Sequence, residues 1–312
     1  MLNSLKHWTL AAVFLAALVI VLGAYTRLTD AGLGCPDWPG CYGRLIAPAS
    51  SKAWTEMIHR YVAGSLGILI LALALKTIWA RSNWQLALVI LALVIFQAAL
   101  GMWTVTLGLY PVVVLGHLLG GFAILALLWL LWLLQAQHLR HRTGTETGPY
   151  IVAYIGLVIL IIQIALGGWT SANYAALVCA DFPSCQGSYW PAMDWRRAFD
   201  FTAVGIFDSP GVPLENTARV TIQMCHRLGA LITAMVLSLL AYFLIRNTQT
   251  TLQRLGITLL CLLAVQITLG ITNVVARLPI AISLMHNAIA ALLLILMVTI
   301  LYELHEKNRS NQ

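Results

Sequence analysis

Four histidines and one glutamate are the residues of this chain whose types and spacing suit chemistry: His59, His117, His226, His286 and Glu56. Each histidine stands close to one end of a long apolar run, and an ionisable side chain held in such a run is costly and marks function. A lone histidine there reads as a helix–helix hydrogen bond. Four at one depth, two in each half of the chain, read as ligands of a metal or of haem iron. Two imidazoles on facing helices ligate haem axially, and four-helix bundles hold such cofactors in their cores. Small residues follow each histidine, Ala63-Gly64, Gly120-Gly121, Gly229-Ala230 and Ala290. Residues three and four positions on share the histidine's face, so small ones are expected to leave room for a porphyrin plane. A bare zinc or copper site would add a third or fourth close ligand. Cys225 is adjacent to His226, but neighbouring helix residues point about 100° apart.

The two halves differ at one position. Glu56 stands three residues before His59 and on its face, whereas Gln223 stands three residues before His226. One site therefore has a carboxylate able to act as a base or to stabilise developing positive charge. The N-terminal site is expected to perform chemistry and the C-terminal site to hold a fixed haem.

The elements that position these residues are membrane helices. The chain is 60% hydrophobic and 9% charged, far from the quarter charged that is usual in soluble domains. Its mean hydropathy is +0.86. Eight apolar segments, roughly 8–26, 57–79, 85–107, 112–135, 150–170, 220–245, 252–275 and 279–302, are each near the ~20 residues that cross a hydrocarbon core. Uninterrupted apolar runs such as Ile124–Leu134 exclude the alternation of a barrel. The first segment is followed by no small-x-small cleavage site and reads as a span, not a signal peptide. The net charge of +7 then reports membrane orientation or contact with anionic groups and lipid, not nucleic acid binding.

The chain is duplicated. Cys35 and Cys41 recur as Cys179 and Cys185 at an offset of 144, as do Leu22-Gly23 and Thr26 in Leu166-Gly167 and Thr170. His59-Arg60 recurs as His226-Arg227 at 167, and Gln97, Leu100-Gly101 and His117 recur as Gln266, Leu269-Gly270 and His286 at 169. A 23-residue insertion around Trp190 to Glu215 accounts for the first change of offset. Four helices separate equivalent positions, so the repeat is parallel. The expected fold is an all-α membrane protein of eight transmembrane helices in two parallel pseudo-symmetric four-helix bundles, 1–140 and 141–312. Odd-numbered spans carry a Leu-Gly pair followed by Thr26, Thr104, Thr170 or Asn273. Three add a glutamine one turn earlier: Gln97, Gln163 and Gln266. Small residues and amides at this spacing are read as helix packing.

Basic residues do not settle orientation, since nine fall on each side. The cysteines do. Two pairs with the same five-residue gap, both on the side away from the termini, fit disulfides in an oxidising compartment. Both termini are thus expected in the cytoplasm and the cysteine loops outside. The outer arginines Arg27, Arg60, Arg219 and Arg227 suit haem propionates at that interface, or simple anchoring of helix ends. Cys225 and Cys261 read as buried apolar packing.

GCPDWPGC (34–41), TEMIHRYVAG (55–64), LGHLLGG (115–121), CADFPSC (179–185), CHRLGA (225–230) and MHNAIA (285–290) together resemble haem A synthase, in the same order and with the same duplication. The resemblance covers nearly the whole chain. It implies a multi-pass enzyme of the bacterial inner membrane that oxidises a methyl group of haem O, through a hydroxymethyl, to the formyl group of haem A. It assigns haem B to His226 and His286 and the substrate haem O to His59 and His117. Glu56 then matches the essential carboxylate, taking a proton or stabilising a cationic intermediate, while the C-terminal haem relays electrons. Cys35–Cys41 matches the family's outer-loop pair. Each outer pair is either a structural disulfide or, for Cys35–Cys41, a redox-active or haem-handling one. A haem O synthase is the expected donor partner. The electron acceptor, the source of the inserted oxygen and the role of the insertion stay open, and a homo-oligomer is compatible with the sequence.

Three other classes compete. A two-haem cytochrome passing electrons between quinol and a partner uses the same histidines but needs no carboxylate in one half alone. A transporter calls for polar residues and broken helices at mid-membrane. A thiol oxidoreductase leaves the histidines unexplained and has a wider cysteine gap than the redox Cys-x-x-Cys.

Overall fold

The structure, a computed structural model, describes residues 2–136, 148–201 and 214–309. The expected boundary at 140/141, Arg140, Arg142, His138, His141 and positions 202–213 of the insertion lie outside them. The described residues are helical, with nine helices in order: α1 (Leu2–Leu28), α2 (Ser51–Trp79), α3 (Trp84–Thr106), α4 (Pro111–Ala136), α5 (Gly148–Ala172), the short α6 (Trp195–Ala198), α7 (Asn216–Ile245), α8 (Thr250–Val275) and α9 (Ile280–Arg309). All but α6 are long and apolar enough to cross a membrane. Within a bilayer a helix satisfies its backbone groups internally, and this is why the apolar runs take this form.

Three helices start a turn or more earlier than the apolar runs suggest, α1 at Leu2 rather than 8 and two others that bear on the site. α2 begins at Ser51 rather than 57, and α7 at Asn216 rather than 220. Hydrophobicity reports only the part of a helix in hydrocarbon, whereas these two continue past it into the polar boundary. The added turns matter, because Glu56 and Arg219 lie on them.

In the first half α1 packs on α2 and α4, and α3 packs on α2 and α4, closing a ring. In the second half α5 packs on α7 and α9, and α8 packs on α7 and α9. The halves meet where α4 touches α5 and α9, and where α1 touches α9. One apolar core runs through both, from Leu66, Ile70 and Leu73 of α2 and Leu125 and Leu128 of α4 to Leu237 and Leu240 of α7 and Met297 of α9. The opposite helix faces present Phe14, Ile68 and Ile151 outward, each more than 60% exposed, as lipid-facing positions do. Cys261 is one of these outward residues and Cys225 is half-buried. The expected burial of Cys261 is thus wrong: its helix turns that face away from the core.

The described part of the insertion lies across the end of the second half. Asp194 caps α6 by accepting from Arg197 N–H, and its own N–H donates to Thr221 Oγ1 at 2.8 Å. Trp169 donates to the Ala198 carbonyl at 2.9 Å. Tyr110, in the first half, donates to the Phe201 carbonyl at 2.7 Å, so the insertion reaches across to the other half.

Candidate functional site

Each of the four histidine rings lies against a glycine of the neighbouring odd-numbered span. A Cβ built on Gly23, Gly101, Gly167 or Gly270 would stand 3.1 Å from Cε1 of His59, His117, His226 or His286 respectively. Contact this close tolerates no larger side chain without displacing the ring. The Leu-Gly pairs, read above as general helix packing, are therefore the seats of the histidines. The sequence does carry a signal for this: Gly101 precedes His117, and Gly270 precedes His286, by the same 16 residues.

The glutamines one turn before the glycines complete the seats. Gln97 donates to the His117 carbonyl. The Gln163 amide nitrogen lies 3.0 Å from His226 Nδ1 and donates to the His226 carbonyl at 3.1 Å. That of Gln266 stands 3.4 Å from His286 Nε2. A Cβ on Gly120 or Gly229 would run into Oε1 of Gln97 or Gln163, whereas one on Gly64 would meet nothing within 4 Å. Gly120 and Gly229 thus also leave room for an amide to pass.

His59 and His117 face one another edge-on, with ring centroids 6.4 Å apart and ring planes at 80°. A metal–imidazole bond of about 2.0–2.1 Å on each side, plus about 1.1 Å from nitrogen to ring centre, places the centroids of two trans ligands about 6.3 Å apart. The spacing thus suits one iron between them. His226 on α7 and His286 on α9 are the equivalent pair of the second half. Nδ1 of His59, His117 and His286 is buried without a hydrogen bond. Among the described residues no three His, Cys, Asp or Glu side chains gather to hold a bare metal ion. A donor set of two imidazoles per half fits an iron whose other four ligands come from a porphyrin.

Glu56 is 4% exposed and both its oxygens are engaged. Oε2 accepts from the Cys35 N–H at 2.8 Å, and Oε1 is ion-paired with Arg60. Gln223, its counterpart, is equally buried, and its Oε1 has no partner. The carboxylate thus ties α2 to the first cysteine loop, a contact that sequence spacing did not reveal.

The two cysteine loops share one construction. Cys35 is bonded to Cys41 and Cys179 to Cys185, all four fully buried. Each loop turns through two residues of positive φ, Tyr42 and Gly43 or Gln186 and Gly187, where glycine carries no steric penalty. Asp37 accepts from the N–H groups of Tyr42 and Gly43, and Asp181 from those of Gln186 and Gly187. The Gly43 amide, with smaller help from Tyr42 and Arg60, holds the Asp37 carboxyl below its usual range. The Ser184 hydroxyl and then the Gly187 amide do the same for Asp181.

The arginines close these loops onto the helices. Arg60 donates to the carbonyls of Asp37 at 2.8 Å and Gly40. Arg227 donates to those of Ser184 at 2.8 Å and of Cys179 and Asp181, each at 2.9 Å. Arg27 reaches the Ser171 carbonyl and lies over the Tyr174 ring, 4.0 Å from its centroid. Nε of Arg219 and of Arg227 is buried and has no partner.

Comparison with known proteins identifies the family of the chain. The family model of the cytochrome oxidase assembly protein matches residues 6–52 and 48–298. A haem A synthase of Shewanella oneidensis is 48% identical, with 94% of each chain covered. One from Orientia tsutsugamushi is 27% identical over 92% of each, and one from Rhizorhabdus wittichii 25% identical over 94% of this chain and 91% of its own. With most of its length matched by the family model, and a relative this similar from end to end, the chain belongs to the cytochrome oxidase assembly protein family.

Proposed function

We propose that this protein is a haem A synthase, oxidising the methyl group of haem O to the formyl group of haem A. The relative at 48% identity carries that name, and the observation that supports the reading is the 6.4 Å separation of His59 and His117 beside a buried Glu56. The N-terminal half, 1–140, takes haem O as substrate between these histidines. The C-terminal half, 141–312, holds haem B through His226 and His286, which supplies electron transfer when bound.

Within the first half the chain's own groups orient and protect. Gly23 and Gly101 fix the ring positions, and Glu56, one turn from His59, is the base or charge-stabilising group. Its absence from the second half supports a division of labour between the halves. The free buried Nε–H groups of Arg219 and Arg227 favour contact with propionates at the outer end, with Arg27 and Arg60 beside them. Burial of both disulfides favours a structural role for them, since exposure is needed for thiol exchange. Eight spans leave both ends of the chain on one side, the cytoplasmic side of the inner membrane, with the cysteine loops outside. Haem O synthase is the donor partner.

The test is extraction and chromatography of haem from the purified protein, produced with and without a co-expressed haem O synthase. Haem B alone without the partner, and haem A or its hydroxylated precursor with it, is the expected result. Haem B alone in both preparations would establish the electron-transfer cytochrome instead.

A further inference from the structure

The first cysteine loop ends in an apolar segment that turns away from the histidines. Leu45 and Ile46 are 74% and 68% exposed, as much as Ile68, at 73%, on the outward face of α2. Their equivalents at the offset of 144, Tyr189 and Trp190, are 75% and 72% exposed. Each pair directly follows the backbone bridge that closes its loop, Cys41 to Arg44 or Cys185 to Ser188. Large apolar residues standing outward together mark a contact surface, and here the feature is built twice in one chain.

Contacts with α2 fix the depth of the first pair. The Tyr61 hydroxyl donates to the Leu45 carbonyl, and Tyr61 is itself exposed, with Ile58 and Ile68, on the outward side of α2. Tyr61 lies ten residues into α2 from Ser51, which is about 15 Å along the axis. A helical side chain leans back over the preceding turn, so this hydroxyl stands about level with Met57, where the apolar run of α2 begins. Ala47, just after the pair, is buried in one cluster with Ala53 and Met57. Both contacts hold Leu45 and Ile46 at the level where hydrocarbon starts. From Trp38 to Trp54 the chain has no acidic residue and carries Arg44 and Lys52. A cation beside an apolar pair suits the boundary between acyl chains and phosphates.

We propose that the first cysteine loop is a membrane-contacting element, with Leu45 and Ile46 entering the bilayer beside the Ser51 end of α2 and Arg44 at the lipid phosphates. The partner of this surface is phospholipid, because through Tyr61 the surface is continuous with the lipid-facing side of α2. In the second loop the same places hold tyrosine and tryptophan, the residue types enriched at that boundary. The first loop is then held from two sides, by Glu56 and Arg60 towards the helices and by the bilayer away from them. This placement needs only that α2 spans a membrane, whatever the two halves bind.

Photo-crosslinking of the full chain in liposomes of phosphatidylcholine and phosphatidylglycerol tests this. The photoreactive amino acid p-benzoylphenylalanine is placed at Ile46, Ile68 or Lys52 in turn, and mass spectrometry identifies what it captures. Ile68 sets the yield of a lipid-facing position. Lys52, exposed on the first turn of α2, sets that of a position beyond the boundary. Position 46 is expected to give phospholipid adducts at a yield near that of position 68 and several-fold above that of position 52. A yield no higher than at position 52 overturns the proposal, as does capture of a second copy of the chain in place of lipid. Absence of lipid adducts at position 68 as well would overturn the lipid-facing assignment of α2, and the proposal with it. If the probe at position 46 prevents folding, Leu45 carries it instead, with the same expected result.

Discussion

Arg27 donates a 2.7 Å hydrogen bond to the carbonyl of Ser171, the residue that occupies Arg27's own place in the second half. No equivalent bond can run the other way, because serine has no side chain long enough to return it. The contact also brings Arg27 over Tyr174, so a single guanidinium joins the outer ends of α1 and α5. A charged hydrogen bond of this kind contributes about 1.5–3 kcal/mol when its acceptor would otherwise be left unsatisfied. Arg27 keeps 18% of its side-chain surface exposed, which reduces that figure.

Arg27→Ala is therefore expected to lower stability by about 1–2 kcal/mol. Thermal unfolding in detergent, followed by haem absorbance and by tryptophan fluorescence, measures it. An unchanged midpoint would show that the helices hold the halves together without this bond.

The glycine seats make a sharper prediction. Gly101→Val should displace His117 and reduce haem at the N-terminal site, and Gly270→Val should do so at the C-terminal site, each sparing the other half. Gly67→Ala is the control, because a Cβ there meets Val94 at an ordinary 3.7 Å. Haem per protein, resolved by type after extraction, gives the answer, and equal loss of both haems would indicate general misfolding.

Glu56→Gln should retain both haems and stop or stall conversion of haem O. It converts the first half to what the second already has at Gln223. The amide nitrogen cannot accept the Cys35 N–H, yet the remaining oxygen can, so the loop should stay docked. Product analysis after co-expression with a haem O synthase is the measurement, and wild-type turnover would remove Glu56 from the mechanism.

Acid should loosen both cysteine loops. Asp37 and Asp181 have carboxyls held below their usual range, so they bind protons less readily folded than unfolded. Their contribution is complete above the unfolded value of about 4 and is lost as pH falls through the lower folded values. Hydrogen exchange at Gly43 and Gly187 should thus show no loss of protection, after correction for intrinsic rates, between neutral pH and about pH 5. It should rise at lower pH. Asp37→Asn should remove that acid dependence from the first loop and leave it in the second.

The histidines, the eight spans and the internal offsets were legible because each is written in side-chain type or hydropathy. The seats were not. Gly23 and Gly101 look like any small residue in a membrane helix, and only the fold shows a ring against them. Arg60 and Arg227 posed a related difficulty: their acceptors are loop carbonyls, which every residue possesses and no sequence pattern marks. The contact of Gln97 with Gly120 was not legible either, because it depends on a side chain that comes from another helix. Helix starts at Ser51 and Asn216 were missed because hydropathy ends where the hydrocarbon does, one or more turns before the helix.

The contacts between the halves, α4 on α9 and α4 on α5 matched by α9 on α1, are those by which two copies of a four-helix unit would pair about a two-fold axis. In a dimer of identical subunits every substitution is made twice, so a carboxylate gained by one partner is imposed on the other. Joining the copies in one polypeptide lifts that constraint. Glu56 on one side and Gln223 on the other are a difference that two identical subunits would have no means to express.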